Sequence, residues 1–216
     1  MHERWILTAH HVIDIPDLAH RFRATFNNVS GDGTSTPFDY RLDPDQGFFP
    51  SADGIQGASG ESFDLDYLFV AIAGPYPQED PSLANLARVS LRPLAVGDRA
   101  HILQSDERNP LLRFPVERLR LYPQGGRVRH VDADYAYYQV STHPGTSGSP
   151  VFDDNWNLRA LHTTGYQSEF PDALRQEYNF GTLMARIVAD VRMRHPAFPV
   201  DELLTIAGTA PAGEPA

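Results

Sequence analysis

Neither cysteine nor lysine occurs in this 216-residue chain. Without Cys there is no disulfide framework, no thiol nucleophile and no thiolate-ligated zinc site. All 18 basic side chains are Arg, which reads as a compositional bias of the genome rather than a functional signal. They are outnumbered by 28 acidic ones, giving a formal net charge of −10. A surface of that sign is a poor match for phosphate-rich partners, so neither nucleic acid nor an anionic membrane is expected as a partner. Long apolar runs are also missing. Nothing approaches the ~20 residues of a membrane-spanning helix, and the opening MHERWILTAH lacks the apolar stretch of a signal peptide. The expected compartment is cytoplasmic if Met1 is the true start and secreted if a signal peptide lies upstream.

Helical periodicity is scarce. Most of the sequence reads as short strands rich in Val, Ile, Leu, Phe and Tyr, bounded by Gly, Pro, Asn and Asp. The strand candidates are Trp5–Thr8, His20–Asn27, Asp66–Ala73, Arg88–Leu91, Ala100–Gln104, Val116–Tyr122, Ala136–Val140, Pro150–Phe152, Asn157–Thr163 and Tyr178–Leu183. There is no fixed-period repeat and no alternation of strand and helix, so an all-β antiparallel sandwich or barrel is expected. Pro81–Ala87 suits a short helical turn. Thr182–Arg194 is the main helix candidate, with Leu183, Ile187, Val188 and Val191 on one face and Pro196 beyond its end. The last residues, rich in Ala, Gly and Pro, read as a disordered tail or linker.

The segment Gly145-Thr146-Ser147-Gly148-Ser149-Pro150 carries the strongest chemical signal. A Ser between glycines, followed by a strand, suits a nucleophile on an exposed turn. Gly145 permits a sharp backbone turn, so that its N–H and that of Ser147 converge as an oxyanion hole. A plain Ser/Gly-rich hairpin turn would look similar. A Ser hydroxyl needs a base, and His10 and His11 follow the apolar strand Trp5-Ile6-Leu7. The alternative for this pair, metal ligation with Asp14, is disfavoured because adjacent side chains diverge in regular structure. Asp66 opens the most apolar strand, Tyr67–Ile72. A carboxylate buried there needs a partner, and fixing an imidazole tautomer would supply one. Asp64, two residues earlier, is the competitor.

These segments resemble those of chymotrypsin-like (trypsin-like) serine proteases. Thr8-Ala9-His10-His11-Val12 is similar to the family's Thr-Ala-x-His segment. Asp66-Tyr67-Leu68-Phe69-Val70 looks like its Asp-plus-apolar strand. Gly145–Pro150 looks like its nucleophile loop, in the form usual in bacterial members. The order His, Asp, Ser matches, with spacings of 55 and 81 residues. The resemblance selects His11 over His10 and implies a serine endopeptidase with catalytic residues His11, Asp66 and Ser147 and no cofactor or metal. It also implies two antiparallel six-stranded β-barrels, residues 1–85 carrying His11 and Asp66 and residues 86–200 carrying Ser147 and a C-terminal helix, with 201–216 as a tail. Only seven residues precede Thr8, so the first barrel is expected to lack its opening strand at the N-terminus.

The resemblance extends to the substrate pocket, where trypsins carry an Asp six residues before the nucleophile. Ser141 occupies that position, which disfavours cleavage after Lys or Arg. Thr142 and His162, five before and 15 after Ser147, match the spacing of a hydroxyl and an imidazole in glutamyl endopeptidases of the V8 type. Such a pair can bind a substrate carboxylate. Thr163 and Gly165 continue the same wall, and the expected partner is a protein or peptide with Glu or Asp before the cut bond. A non-catalytic protease-like interaction module is the alternative reading.

Overall fold

The structure is a computed structural model. It describes residues 5–26, 38–52, 65–74, 88–106, 118–121, 126–142, 145–164, 173–202 and 204. In the N-terminal half the elements are β1 (Trp5–Thr8), α1 (Pro16–Ala19), β2 (Arg23–Phe26), β3 (Phe38–Arg41), β4 (Phe48–Pro50) and β5 (Leu68–Ala71). They are followed by β6 (Arg88–Val89), β7 (Arg99–Asp106), β8 (Arg118–Leu121), β9 (Gly126–Val131), β10 (Tyr135–Gln139), β11 (Pro150–Phe152) and β12 (Asn157–Thr164). The chain continues through α2 (Ala173–Glu177), β13 (Asn179–Leu183) and α3 (Met184–Arg194).

Six of the later strands pair as β11-β12-β13-β10-β9-β7, and β7 pairs back onto β11, which closes the ring into a barrel. Closure removes free edges from this half. Its interior is filled by Ala100, Ile102, Val128, Ala136, Tyr138, Val140, Val151, Ala160 and Leu183. β8 attaches to β7, and β6 runs parallel to β12.

The earlier strands form an antiparallel sheet β1-β5-β4 and a separate antiparallel pair β2-β3, joined to β5's end by a bridge between Leu42 and Ile72. β5 explains the continuous apolar run: both of its faces are covered. Leu68, Val70 and Ile72 pack with Ile13, Ala19 and Leu42. Leu65, Tyr67 and Phe69 face Ile187, Val188 and Val191 of α3. The helix is tied further by Tyr67 Oη–H donating to Asp190 Oδ2 (2.8 Å), and just beyond it His195 Nε2–H donates to Pro50 O (2.7 Å). Helix α3 thus braces the sheet formed by the first strands.

All ten expected strands have a counterpart, with ends shifted by a few residues. β3, β4 and β9 were not expected. β4 is three residues long, and β9 is interrupted by polar positions (GRVRHV), so neither carries a clear apolar alternation. The helix begins at Met184 rather than Thr182 because Thr182 and Leu183 still pair with Leu161 and Ala160 as the end of β13. No helix among the described residues is long and apolar enough to cross a membrane. Pro81–Ala87, the expected domain junction at 85/86 and the tail from 205 onward lie outside the described residues.

Candidate active site

β1 ends in a single tight helical turn, His10–Val12, which sends two neighbouring imidazoles to different places. His10 is buried, and its Nε2–H donates to Asp14 O at 3.3 Å. The His11 side chain is one-third exposed, and its Nδ1 lies 2.7 Å from Asp66 Oδ2. A carboxylate only accepts, so Nδ1 carries the proton and Nε2 keeps a free lone pair. That is the tautomer a general base requires. Asp66 is fully buried, and its other oxygen accepts the backbone N–H of His11 at 2.9 Å. Its main-chain carbonyl accepts the N–H of His10 at 3.3 Å. The carboxylate therefore grips both ring and backbone of His11. To do so Asp66 adopts φ = +49°, a left-handed conformation uncommon for a side-chain-bearing residue.

The loop that carries Ser147 comes from the other half. Gly145 (φ +95°) and Gly148 (φ +82°) both take backbone conformations that an L side chain resists. At Gly148 a Cβ would collide with Thr8 Oγ1 and come to 3.0 Å from Ala9 N, so the loop lies directly on the segment leading to His11. Gly148 N–H donates to His162 O (2.8 Å) and Ser149 N–H to Thr146 O (3.0 Å). The N–H groups of Gly145 and Ser147 find no acceptor among the described residues and stay available to a ligand. No hydrogen bond joins Ser147 Oγ to His11 in this conformation. Such bonds are often long without substrate and tighten on binding.

Behind the loop, His162 is 1% exposed. Its Nδ1 lies 2.7 Å from the hydroxyl of Tyr138. Burial, and then the charge of His11 nearby, depress its pKa from 6.5 to about 3, so the ring is neutral. Burial likewise pushes the Tyr138 phenol well above its ordinary range. Thr142 is half-buried and Ser141 exposed, while Gly165 lies outside the described residues.

The family model for trypsin-like peptidase domains matches residues 1–161. The chain belongs to the trypsin-like peptidase family. It is a serine endopeptidase of that family, with peptides or proteins as substrates. Solved structures that it resembles include a Glu endopeptidase (17% identity, TM-score 0.56, 88% of this chain and 80% of that one). A scabies mite inactivated protease paralogue aligns at 13% identity with TM-score 0.60, covering 91% and 85%. Neuropsin, a serine protease of mouse brain, aligns at 13% with TM-score 0.61, covering 88% and 84%. These likenesses show the chymotrypsin-like fold.

Within this trypsin-like peptidase, the sequence pointed to neither of two supporting residues, Thr182 and Tyr138. Thr182 Oγ1–H donates to Leu65 O (2.6 Å), and Thr163 Oγ1 lies 3.1 Å from Thr182 Oγ1. The side chain of Thr163 is therefore engaged with Thr182 beside the segment leading into Asp66. Tyr138, on His162, is the other. Residues on separate strands met only through strand order, and no local pattern announces that. Among the described residues no cluster of three or more His, Asp or Glu could hold a metal ion.

Proposed function

We propose that this peptidase cleaves peptide bonds through an acyl-enzyme on Ser147, with His11 as base and Asp66 as its orienting acid, and that it prefers Glu or Asp on the acyl side of the bond. An inactivated protease shares the fold, so activity has to be argued from residues. The observation that carries it is the 2.7 Å contact between His11 Nδ1 and the buried carboxylate of Asp66. Ser147 Oγ attacks the substrate carbonyl as His11 Nε2 takes its proton, and the resulting oxyanion accepts hydrogen bonds from the Gly145 and Ser147 N–H groups. His11 then protonates the leaving amine. A water, deprotonated by the same nitrogen, hydrolyses the acyl-enzyme and returns the proton to Ser147. The units 1–85 and 86–200 would each supply one side of this cleft.

For specificity, Ser141 offers no counter-ion to a basic side chain, whereas the Thr142 hydroxyl and the His162 imidazole offer donors to a carboxylate. The wall continues through the Thr163 backbone and Gly165. A fluorophosphonate probe should label the chain, and Ser147→Ala should abolish labelling. No labelling of the natural sequence would instead support a non-catalytic module. Fluorogenic peptides differing only at the residue before the cut (Glu, Asp, Gln, Leu, Phe, Ala, Arg) read the pocket. His162→Ala should lower kcat/KM for Glu by roughly tenfold to a hundredfold, and for Leu far less. Best cleavage after Leu or Phe, with His162→Ala affecting all peptides alike, would make His162 structural.

A further inference from the structure

The strand β13 lies between β10 and β12, yet Tyr138 of β10 reaches His162 of β12 across it. The crossing is possible because of Gly181, which is paired with Ala136 on one side and His162 on the other. A Cβ at Gly181 would come to 2.9 Å from the Tyr138 hydroxyl and 2.6 Å from Leu161 O. The missing side chain is the passage through which the phenol touches the ring. We propose that Tyr138 is a positioning residue for specificity: its hydroxyl donates to His162 Nδ1 and fixes the ring as an uncharged imidazole that offers Nε2–H to the substrate carboxylate. This rests on the reading of His162 as a pocket residue.

The direction of the bond follows from satisfiability. A neutral ring has one N–H. Were it on Nδ1, the phenolic proton would be buried with no other acceptor among the described residues, at a cost typical of an orphaned donor. With the phenol donating, the donor left over is Nε2–H of His162, which has no partner among the described residues but is not fully enclosed, so it can meet a ligand or water. The titratable groups facing His162 are Tyr138 from β10 and His11 from the turn after β1, the latter with Asp66 behind it. Just before β11 the contact is the Ser149 carbonyl, which accepts His162 N–H (2.9 Å), and β13 contributes Gly181. Neutrality has a use. During acylation His11 becomes an imidazolium, and a second charge on His162 would oppose it at every turnover. A locked neutral donor recognises the carboxylate without that penalty.

Two measurements test this. In the natural chain labelled with 15N-histidine, His162 should show an unprotonated, hydrogen-bonded Nδ1 and a protonated Nε2, unchanged from about pH 8 to about pH 5, where an ordinary imidazole titrates. Protonation at Nδ1, or titration near 6.5, would overturn the lock. Tyr138→Phe keeps the ring that fills the core and removes only the hydroxyl. It should free the ring proton to move between Nδ1 and Nε2, which the 15N spectrum reads directly, and cut the Glu-over-Leu ratio of kcat/KM about tenfold. A Glu-over-Leu ratio unchanged at every pH would refute the positioning role. If the natural chain shows no preference for Glu while the NMR signature stands, the pocket reading fails and the tautomer lock does not.

Discussion

The two halves of the molecule hold themselves together differently. The C-terminal half closes a six-stranded ring and seals its own apolar interior. Among the described residues the N-terminal half is a three-stranded sheet and a two-stranded pair, and β5 completes its burial only by leaning on α3, which follows the last strand of the barrel. The Ser147 loop and His162 belong to the self-sealed half. His11 and Asp66 belong to the half that borrows support. The geometry between His11 and Asp66 therefore depends on packing contributed from more than a hundred residues away, as the pair Tyr67–Asp190 illustrates.

The largest expected effect erases the distinction between the halves at the site itself. Ser147→Ala and His11→Ala should each lower kcat by a factor on the order of 10⁴ or more, and the double variant should be little worse than either, because the groups act as one unit. His10→Ala should retain most activity, since its ring is bonded to the Asp14 carbonyl and not to Asp66. Steady-state kinetics on one peptide check all four variants. Equal losses from His10 and His11 would mean that the two imidazoles are not divided as the tight turn divides them.

Next comes the brace. Ile187 is fully buried between α3 and β5, and Ile187→Ala should cost about 2–5 kcal/mol. If the N-terminal half borrows its support, native-state hydrogen exchange should quicken in β1 and β5 before it does in β9 and β10. Val128→Ala, inside the barrel, should instead destabilise both halves together. Uniform quickening in the Ile187 variant would break the contrast.

Much of this was legible in the residues. The apolar run Tyr67–Ile72 marked a core strand, and the glycines around Ser147 marked a sharp turn. Barrel closure was legible through the family resemblance alone, because β7 meets β11 across some fifty residues of chain and no local pattern encodes that pairing. The support behind the site was equally hidden. Nothing in the neighbourhood of Asp66 signals φ = +49°, and nothing near Tyr138 signals a histidine two strands away. Polar residues inside a strand look alike in sequence whether they face solvent or complete a buried network.

A smaller effect is carried by acid. An unfolded histidine takes its proton near 6.5, whereas folded His162 resists until about 3. Between those values the unfolded chain binds more protons, so this contribution to stability is fully present above about 6.5 and drains as pH falls toward 3. One group supplies a slope of at most about 1.4 kcal/mol per pH unit. Urea unfolding at several pH values should show that slope, and His162→Gln should flatten it. The effect sharpens the comparison because it titrates the self-sealed half; an unchanged slope in the variant would assign the acid sensitivity elsewhere.

The smallest effect tests the seam. Thr182, on the barrel's last strand, donates to the carbonyl of Leu65, one residue before Asp66. Thr182→Val keeps the shape of the side chain but removes the hydroxyl, leaving the Leu65 carbonyl without that donor and the Thr163 hydroxyl without that partner. The cost in stability should be about 1–2 kcal/mol. Its consequence for catalysis follows from where the bond acts. Asp66 sits in an unfavourable backbone conformation that neighbouring contacts must maintain, and slackening Leu65 lets the carboxylate drift from His11 Nδ1. Substrate contacts are untouched, so kcat should fall roughly threefold to tenfold with KM unchanged. Thr182→Ser, which restores the hydroxyl, should recover most of the loss. A variant that is destabilised yet has normal kcat would show that the seam holds the halves together without governing the base. A rise in KM alone would place its influence in the pocket rather than on Asp66.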